Sequence, residues 1–366
     1  MKKFIYFLTI LLPLNIVAQD NFKDAQEKKE RAINLMDNGK IEESIRLLNE
    51  AKNLDPSNYV YDYEIGFAYY LKGDYKSSIS TFKKVIEYDN SDAQCYQMLG
   101  NIYDIDGNPK KALKTYDKGL KLFPKSGRLY LEKGNLYLNQ KQYNEALNFY
   151  EQGIFNDPMF ASNYYRASKL FCNSQEEVWG MIYGEIFINL ENDTKRTHEI
   201  SKLLYDTYKS QIKFTSDTSV SVSFSQQNII YINPKDLKKS ANYLLEALKL
   251  PFGSGVYDPT LSESCVGQTA INLRSLNEIR EKFVSTYFSK SLNEKHPVVL
   301  FEYNKRLINL GLFEAYNYWL LKSGNEEEFN QWLSSHQKNY NDLISWIKEN
   351  PIYIDSNNKF CRVEYN

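Results

Sequence analysis

The sequence predicts an all-α-dominated protein: a solenoid of stacked helical hairpins followed by an α-helical capping domain. Three observations carry this. Gly66, Gly100 and Gly134 recur every 34 residues, as do Tyr69, Tyr103 and Tyr137. Glycine returns at the same spacing in a second place, at Gly39, Gly73 and Gly107, and prolines Pro56, Pro124 and Pro158 fall where successive units close. A repeat of that length is one helix-turn-helix that cannot bury its apolar face alone and must stack on its neighbours.

Taken in order, the chain opens on a basic pair, Lys2 and Lys3, followed by an apolar stretch from Phe4 to Val17 and the small residue Ala18. This reads as a cleaved export leader over residues 1–18. The stretch is shorter than the ~18 apolar residues a spanning helix needs and contains Pro13. No membrane span is expected after cleavage. No cysteine follows the cut site to carry a lipid, so a lipoprotein is not indicated, and the product is expected to be exported, either periplasmic or cell-envelope associated or secreted. Residues 19–24 form a short lead-in.

From Ala25 the chain divides into five 34-residue windows over 25–193, beginning at Ala25, Tyr59, Ala93, Gly127 and Ala161. Their eighth places hold Ala32, Gly66, Gly100, Gly134 and Ser168, small enough for the two helices of a unit to press together. Ser44, Ser78, Ala112 and Ala146 supply the facing side, with Leu48, Phe82, Tyr116 and Tyr150 one turn later as core. The turn glycines suit a position with positive φ. In the fifth unit the second helix, about Val178 to Leu190, is apolar around most of its circumference, so it is expected to lie buried beneath the C-terminal region.

These positions resemble the tetratricopeptide repeat family. The resemblance implies an interaction module whose first helices line a concave groove, with ligand-facing residues at the second, fifth, ninth, twelfth and thirteenth places. Carried onto this chain, those places include Lys29, then Tyr63, Phe67 and Tyr70, then Gln94, Gln97, Asn101 and Asp104. The fourth unit adds Arg128, Asn135 and Asn139, and the fifth Tyr165 and Lys169. Tyrosine offers flat apolar area and carboxamides pair with backbone, which suits an extended peptide. Asn101 and Asn135 are expected to hold that backbone, and Arg128 to favour an acidic side chain. The family's carboxylate clamp is not matched, because Lys29 alone fits its pattern while Ile33, Glu64, Gln94 and Met98 depart from it.

Residues 194–366 lose the repeat. A helix through Ile200, Leu203, Leu204 and Tyr208 leads to the alternating Ser219–Phe224, expected to pair with Ile229–Ile232 as a small hairpin over 219–232. Asn233-Pro234 would open a helix to Leu248. Pro251 to Glu263 reads as a loop, and its Gly253-Ser254-Gly255 lacks the lysine and hydroxyl residue of a phosphate cradle. Helices follow at Leu273–Lys290, Val298–Leu310, Phe313–Lys322 and Glu326–Glu349, the last capped by Asn325 with Glu328 three residues on. Phe313 to Trp332 echoes a repeat with Gly324 in its turn. The concentration of Trp319, Trp332 and Trp346 reads as core, with a glycan-stacking platform as the functional alternative.

The composition, 42% hydrophobic and 15% aromatic, supplies a core, and the formal charge of −1 becomes −3 without the two leader lysines. No basic footprint for nucleic acid exists. Cys95, Cys172, Cys265 and Cys361 lack metal-ligand spacing, and no cofactor motif occurs. Cys95 and Cys172 are expected to be free thiols, whereas Cys265 and Cys361 are the pair compatible with a disulfide. The expected role is a non-enzymatic scaffold for a protein or peptide partner. The competing class is a hydrolase in which Cys265 is activated by His296 or His198, and it requires the thiol and a histidine to meet in a cleft.

Overall fold

The computed structural model describes residues 11–216, 219–225 and 251–362. The chain divides into two compact units, Met1–Leu136 and Tyr137–Asn366.

Unit 1 consists of helical hairpins. Helices α1 (Leu11–Asp37) and α2 (Ile41–Leu54) form the first, α3 (Tyr59–Leu71) and α4 (Tyr75–Val85) the second, α5 (Ala93–Ile105) and α6 (Pro109–Leu122) the third. Helix α7 (Gly127–Asn139) opens the fourth. Helix starts are set locally: Asn58, Asp74 and Asp92 each accept a backbone N–H of the first turn, and Pro109 occupies a position that needs no donor. Stops are set by Gly39, Gly73 and Gly107, with φ of 75°, 79° and 76°.

The eighth-place glycines are sterically required. A Cβ on Gly100 would lie 2.0 Å from the Tyr116 ring, and one on Gly66 would lie 2.7 Å from Phe82. Both rings are fully buried. Ser78, opposite Gly66, donates its hydroxyl to the glycine carbonyl at 2.7 Å, so the crossing is both close-packed and hydrogen-bonded.

Unit 2 continues with α8 (Tyr143–Asn156), α9 (Ala161–Phe171) and α10 (Glu177–Leu190). In the α9–α10 hairpin the small pair is exchanged: Ser168 takes the glycine place and donates to the Gly180 carbonyl at 2.8 Å. Residues 177–189 of α10 are all buried, as the apolar circumference predicts. Trp179 packs against Phe252 and Phe360 from the C-terminal region.

Several sequence expectations for the C-terminal half are corrected. Helix α11 (Lys195–Gln211) begins 34 residues after α9, so the spacing persists for one more first helix although Lys202 replaces the small eighth residue. Strand β2 (Ser219–Val222) exists, but its partner is β1 (Ile212–Ser216) immediately upstream. The proposed partner Ile229–Ile232 and the helix from Asn233 to Leu248 lie outside the described residues. Pro251–Glu263 is helical rather than a loop: Gly253–Tyr257 makes one wide turn and α12 (Asp258–Ser264) follows with Pro259 in its first turn.

Helices α13 (Leu273–Ser289), α14 (Val299–Asn309), α15 (Phe313–Leu321) and α16 (Glu326–Glu349) match the expected positions closely. The repeat-like pair is α14–α15, with Gly311 (φ 69°) in its turn, not the Gly324 region. Gly311 N–H bonds to the Ile308 carbonyl and Leu312 N–H to the Leu307 carbonyl, the same pattern that Gly73 and Asp74 make. Asn304 and Tyr316 occupy the places of the small crossing residues, which erases the sequence signal. They donate instead to Glu185 Oε1 of α10, at 3.0 Å each, beside Arg280 Nη2 at 2.7 Å. This buried pair joins α10 to α13, and losing either partner would strand a charge at a cost of about 3–5 kcal/mol.

Candidate partner-binding surface

In unit 1 the predicted ligand-facing residues lie on α1, α3, α5 and α7, and several bond to the next first helix. Gln94 donates Nε2 to the Tyr63 hydroxyl at 2.7 Å. Arg128 donates to Gln97 Oε1 at 3.0 Å, and Gln97 donates Nε2 to Glu132 Oε1 at 2.6 Å. Asn135 completes the chain by donating to Glu132 Oε2 at 3.0 Å. Because the repeat sets neighbouring first helices side by side, partners stand 31 to 35 residues apart in sequence.

Asn101 accepts the hydroxyl of buried Tyr116 at 2.5 Å. Its carboxamide therefore has its oxygen committed within its own hairpin. Asn135 is likewise engaged, so neither residue presents the free amide that the sequence reading assigns to it. Phe67 and Tyr70 stack at 5.9 Å on α3. Lys29 lies near Glu64 and opposes the burial that pushes the Glu64 carboxyl above its usual range.

Asp104 differs from these residues. Its carboxylate makes no hydrogen bond or ion pair among the described residues, and burial followed by the nearby negative charge of Glu132 pushes its pKa up. Burial, then Glu132 and Asp104, also raise the Tyr116 hydroxyl. Glu132, at the sixth place of its unit, is the residue the positional rule passes over. Two carboxylates, Asp104 and Glu132, thus stand near each other, with Arg128 already held by Gln97.

In unit 2, Asn139 is exposed at the end of α7. Tyr165 and Lys169 are occupied by α11: Glu199 accepts the Tyr165 hydroxyl at 2.5 Å and Lys169 Nζ at 2.5 Å. Arg196 lies over the Tyr165 ring at 5.1 Å and donates to Ser162 at 3.1 Å. These first-helix positions thus serve to dock the next helix.

The catalytic alternative finds no support in geometry. Cys265 is buried, burial pushes its thiol up to about 12, and no histidine bonds to it. His198 instead contacts Ser323 at 2.9 Å and Asp193 at 3.4 Å. All four cysteines are free thiols, so Cys265 and Cys361 are not bridged. Among the described residues no group of three His, Cys, Asp or Glu side chains could hold a metal ion. Trp319 and Trp332 are buried and Trp346 is half-buried, and Trp332 stacks between Tyr318 at 4.4 Å and His336 at 4.8 Å.

Close-packed hairpins with linked first helices define a helical-repeat solenoid, a class that presents extended surfaces to partners. Residues 63–92 and 105–169 match the tetratricopeptide repeat family, so the chain carries tetratricopeptide repeats in this region. Similar solved structures include the protein MamA from Desulfovibrio magneticus RS-1, at 17% identity over 46% of this chain and 94% of that one, with a TM-score of 0.35. Pseudomonas aeruginosa pilF is similar at 15% identity over 52% of this chain and 86% of that one, with a TM-score of 0.43. YrrB, described as a protein of this family with an unusual peptide-binding site, is similar at 21% over 50% and 94%, with a TM-score of 0.33. No curated protein matches the chain.

Proposed function

We propose that this chain is a non-enzymatic interaction scaffold of the cell envelope, holding an extended segment of a protein partner along the first helices of unit 1. The observation that carries the reading is the linked row Tyr63, Gln94, Gln97, Arg128 and Glu132, which leaves Asp104 unpartnered beside a second carboxylate. A ligand basic side chain at Asp104 would relieve both the repulsion from Glu132 and the cost of partial burial. The ligand is therefore a segment with lysine or arginine, and Arg128 positions Gln97 rather than recruiting an acid. The leader motif at Lys2 to Ala18 supports export, and among the described residues no helix is long and apolar enough to cross a membrane.

Panning a random extended-peptide library on the full chain tests the reading. Basic peptides should be enriched, and Asp104→Asn should weaken the best of them about tenfold, the scale of one hydrogen bond to a charged group. Enrichment of acidic peptides, or unchanged affinity in Asp104→Asn, would refute it. Sequencing the N-terminus of protein recovered from cell fractions tests export, which predicts a mature chain starting near Gln19.

A further inference from the structure

Unit 2 contains a cavity of about 330 Å³ between the α10–α11 turn, the end of α15 and the second half of α16. Trp319, Ile344 and Ile347 give it apolar walls, and Tyr340 stands beside them. Asp193, Lys322 and Lys348 also line it. The volume is at the small end of ligand pockets, which run about 300–1,000 Å³, and suits one amino-acid-sized molecule.

The polar groups in this cavity are unequally committed. Asp193, held in the left-handed region at φ 50°, is the lining carboxylate, and it is already taken by Lys322 at 3.0 Å and His198 at 3.4 Å. Lys322 is thereby taken, but other donors of the lining are not. Trp319 is 6% exposed, yet its indole N–H makes no hydrogen bond among the described residues. The Tyr340 hydroxyl and the exposed Lys348 ammonium likewise have no partner there. Burial and the charge of Asp193 raise the Tyr340 pKa, which keeps that hydroxyl a proton donor.

An acceptor placed beside the Tyr340 hydroxyl and the Lys348 ammonium would pair with donors that have no partner among the described residues to give up. We propose that this cavity binds a small carboxylic acid with an aromatic or branched aliphatic body, its body against Trp319, Ile344 and Ile347 and its carboxylate facing the Tyr340 hydroxyl and Lys348. Two sources share this chemistry: a free small acid, or the C-terminal residue of another chain.

The test is titration of the full-length protein, with indole N–H signals followed by NMR and Trp319 assigned through Trp319→Phe. N-acetylphenylalanine should shift the Trp319 signal, and its amide should bind at least about tenfold more weakly, since it loses the charge. Lys348→Ala should weaken the acid by a similar factor with unchanged melting, because that side chain is exposed. Ile344→Trp, which narrows the cavity, should weaken binding of the acid. A decapeptide ending in phenylalanine separates the sources: binding at least as tight as the acid points to a chain terminus, and weaker binding to a free acid. Equal affinity for acid and amide, no Trp319 shift at about 10 mM acid, or tighter binding of N-acetylglucosamine would overturn the proposal.

Discussion

Replacing Arg362 by alanine is expected to destabilise unit 2 severely, although the residue lies four positions from the end of the chain. Glu151 on α8 is buried, with its side chain 1% exposed. Its carboxylate accepts Arg362 Nη2 at 2.6 Å and Arg362 Nε at 3.1 Å, and the Tyr183 hydroxyl donates to it at 3.0 Å. Arg362 also lies over the Phe171 ring at 5.2 Å. The substitution would leave a buried carboxylate with the tyrosine hydroxyl as its remaining donor from this group. Removing one partner of such a pair costs about 3–5 kcal/mol, and the guanidinium is partly exposed, which favours the lower end. For a unit of this size each kcal/mol corresponds to about 2–4 °C in melting temperature, so a fall of roughly 6–12 °C is expected. The assay is thermal unfolding of Arg362→Ala, Glu151→Gln and the double variant. The cycle should show coupling above about 1 kcal/mol, with the double variant more stable than the sum of the singles predicts. An Arg362→Ala melting curve within about 2 °C of the parent would refute the reasoning and make the tail contact incidental.

Gly100→Ala should cost at least about 2 kcal/mol, because its methyl would meet the Tyr116 ring, which is buried and cannot swing aside; urea unfolding with a loss under about 0.5 kcal/mol would contradict the crossing geometry. Asp258, which accepts the Phe224 and Ser225 backbone N–H groups, has its pKa raised from 3.8 to about 6 by burial. Since the folded state holds this proton more tightly, its contribution is most favourable below pH 3.8 and is lost as pH rises through about 6. The loss is on the order of 2 kcal/mol after allowance for partial exposure. Asp258→Asn should therefore gain stability relative to the parent between pH 4 and pH 6, and parallel melting profiles across that range would show the shift to be absent.

Sequence alone determined what short-range sterics control. The 34-residue recurrence of small residues places each helix crossing, because a Cβ at Gly100 has no room. Turn glycines mark where the backbone enters positive φ, and Asn58, Asp74 and Asp92 mark where helices begin. Even the C-terminal helices from Leu273 onward are legible, since caps and apolar periodicity act within a few residues. Tertiary structure decided what depends on distant partners. Helix α11 continues the array without its small residue, and the α14–α15 hairpin replaces small crossing residues with Asn304 and Tyr316 because Glu185, more than 100 residues earlier, accepts their hydrogen bonds. In the same way β2 pairs backward with β1, because alternation identifies a strand's faces and not its neighbour. The candidate surface divides along this line: positional spacing found Gln97, Arg128 and Asp104, but it could not find Glu132. Hydrogen bonding between helices, not the identity of any one residue, decides which groups are already satisfied and which are left for a partner.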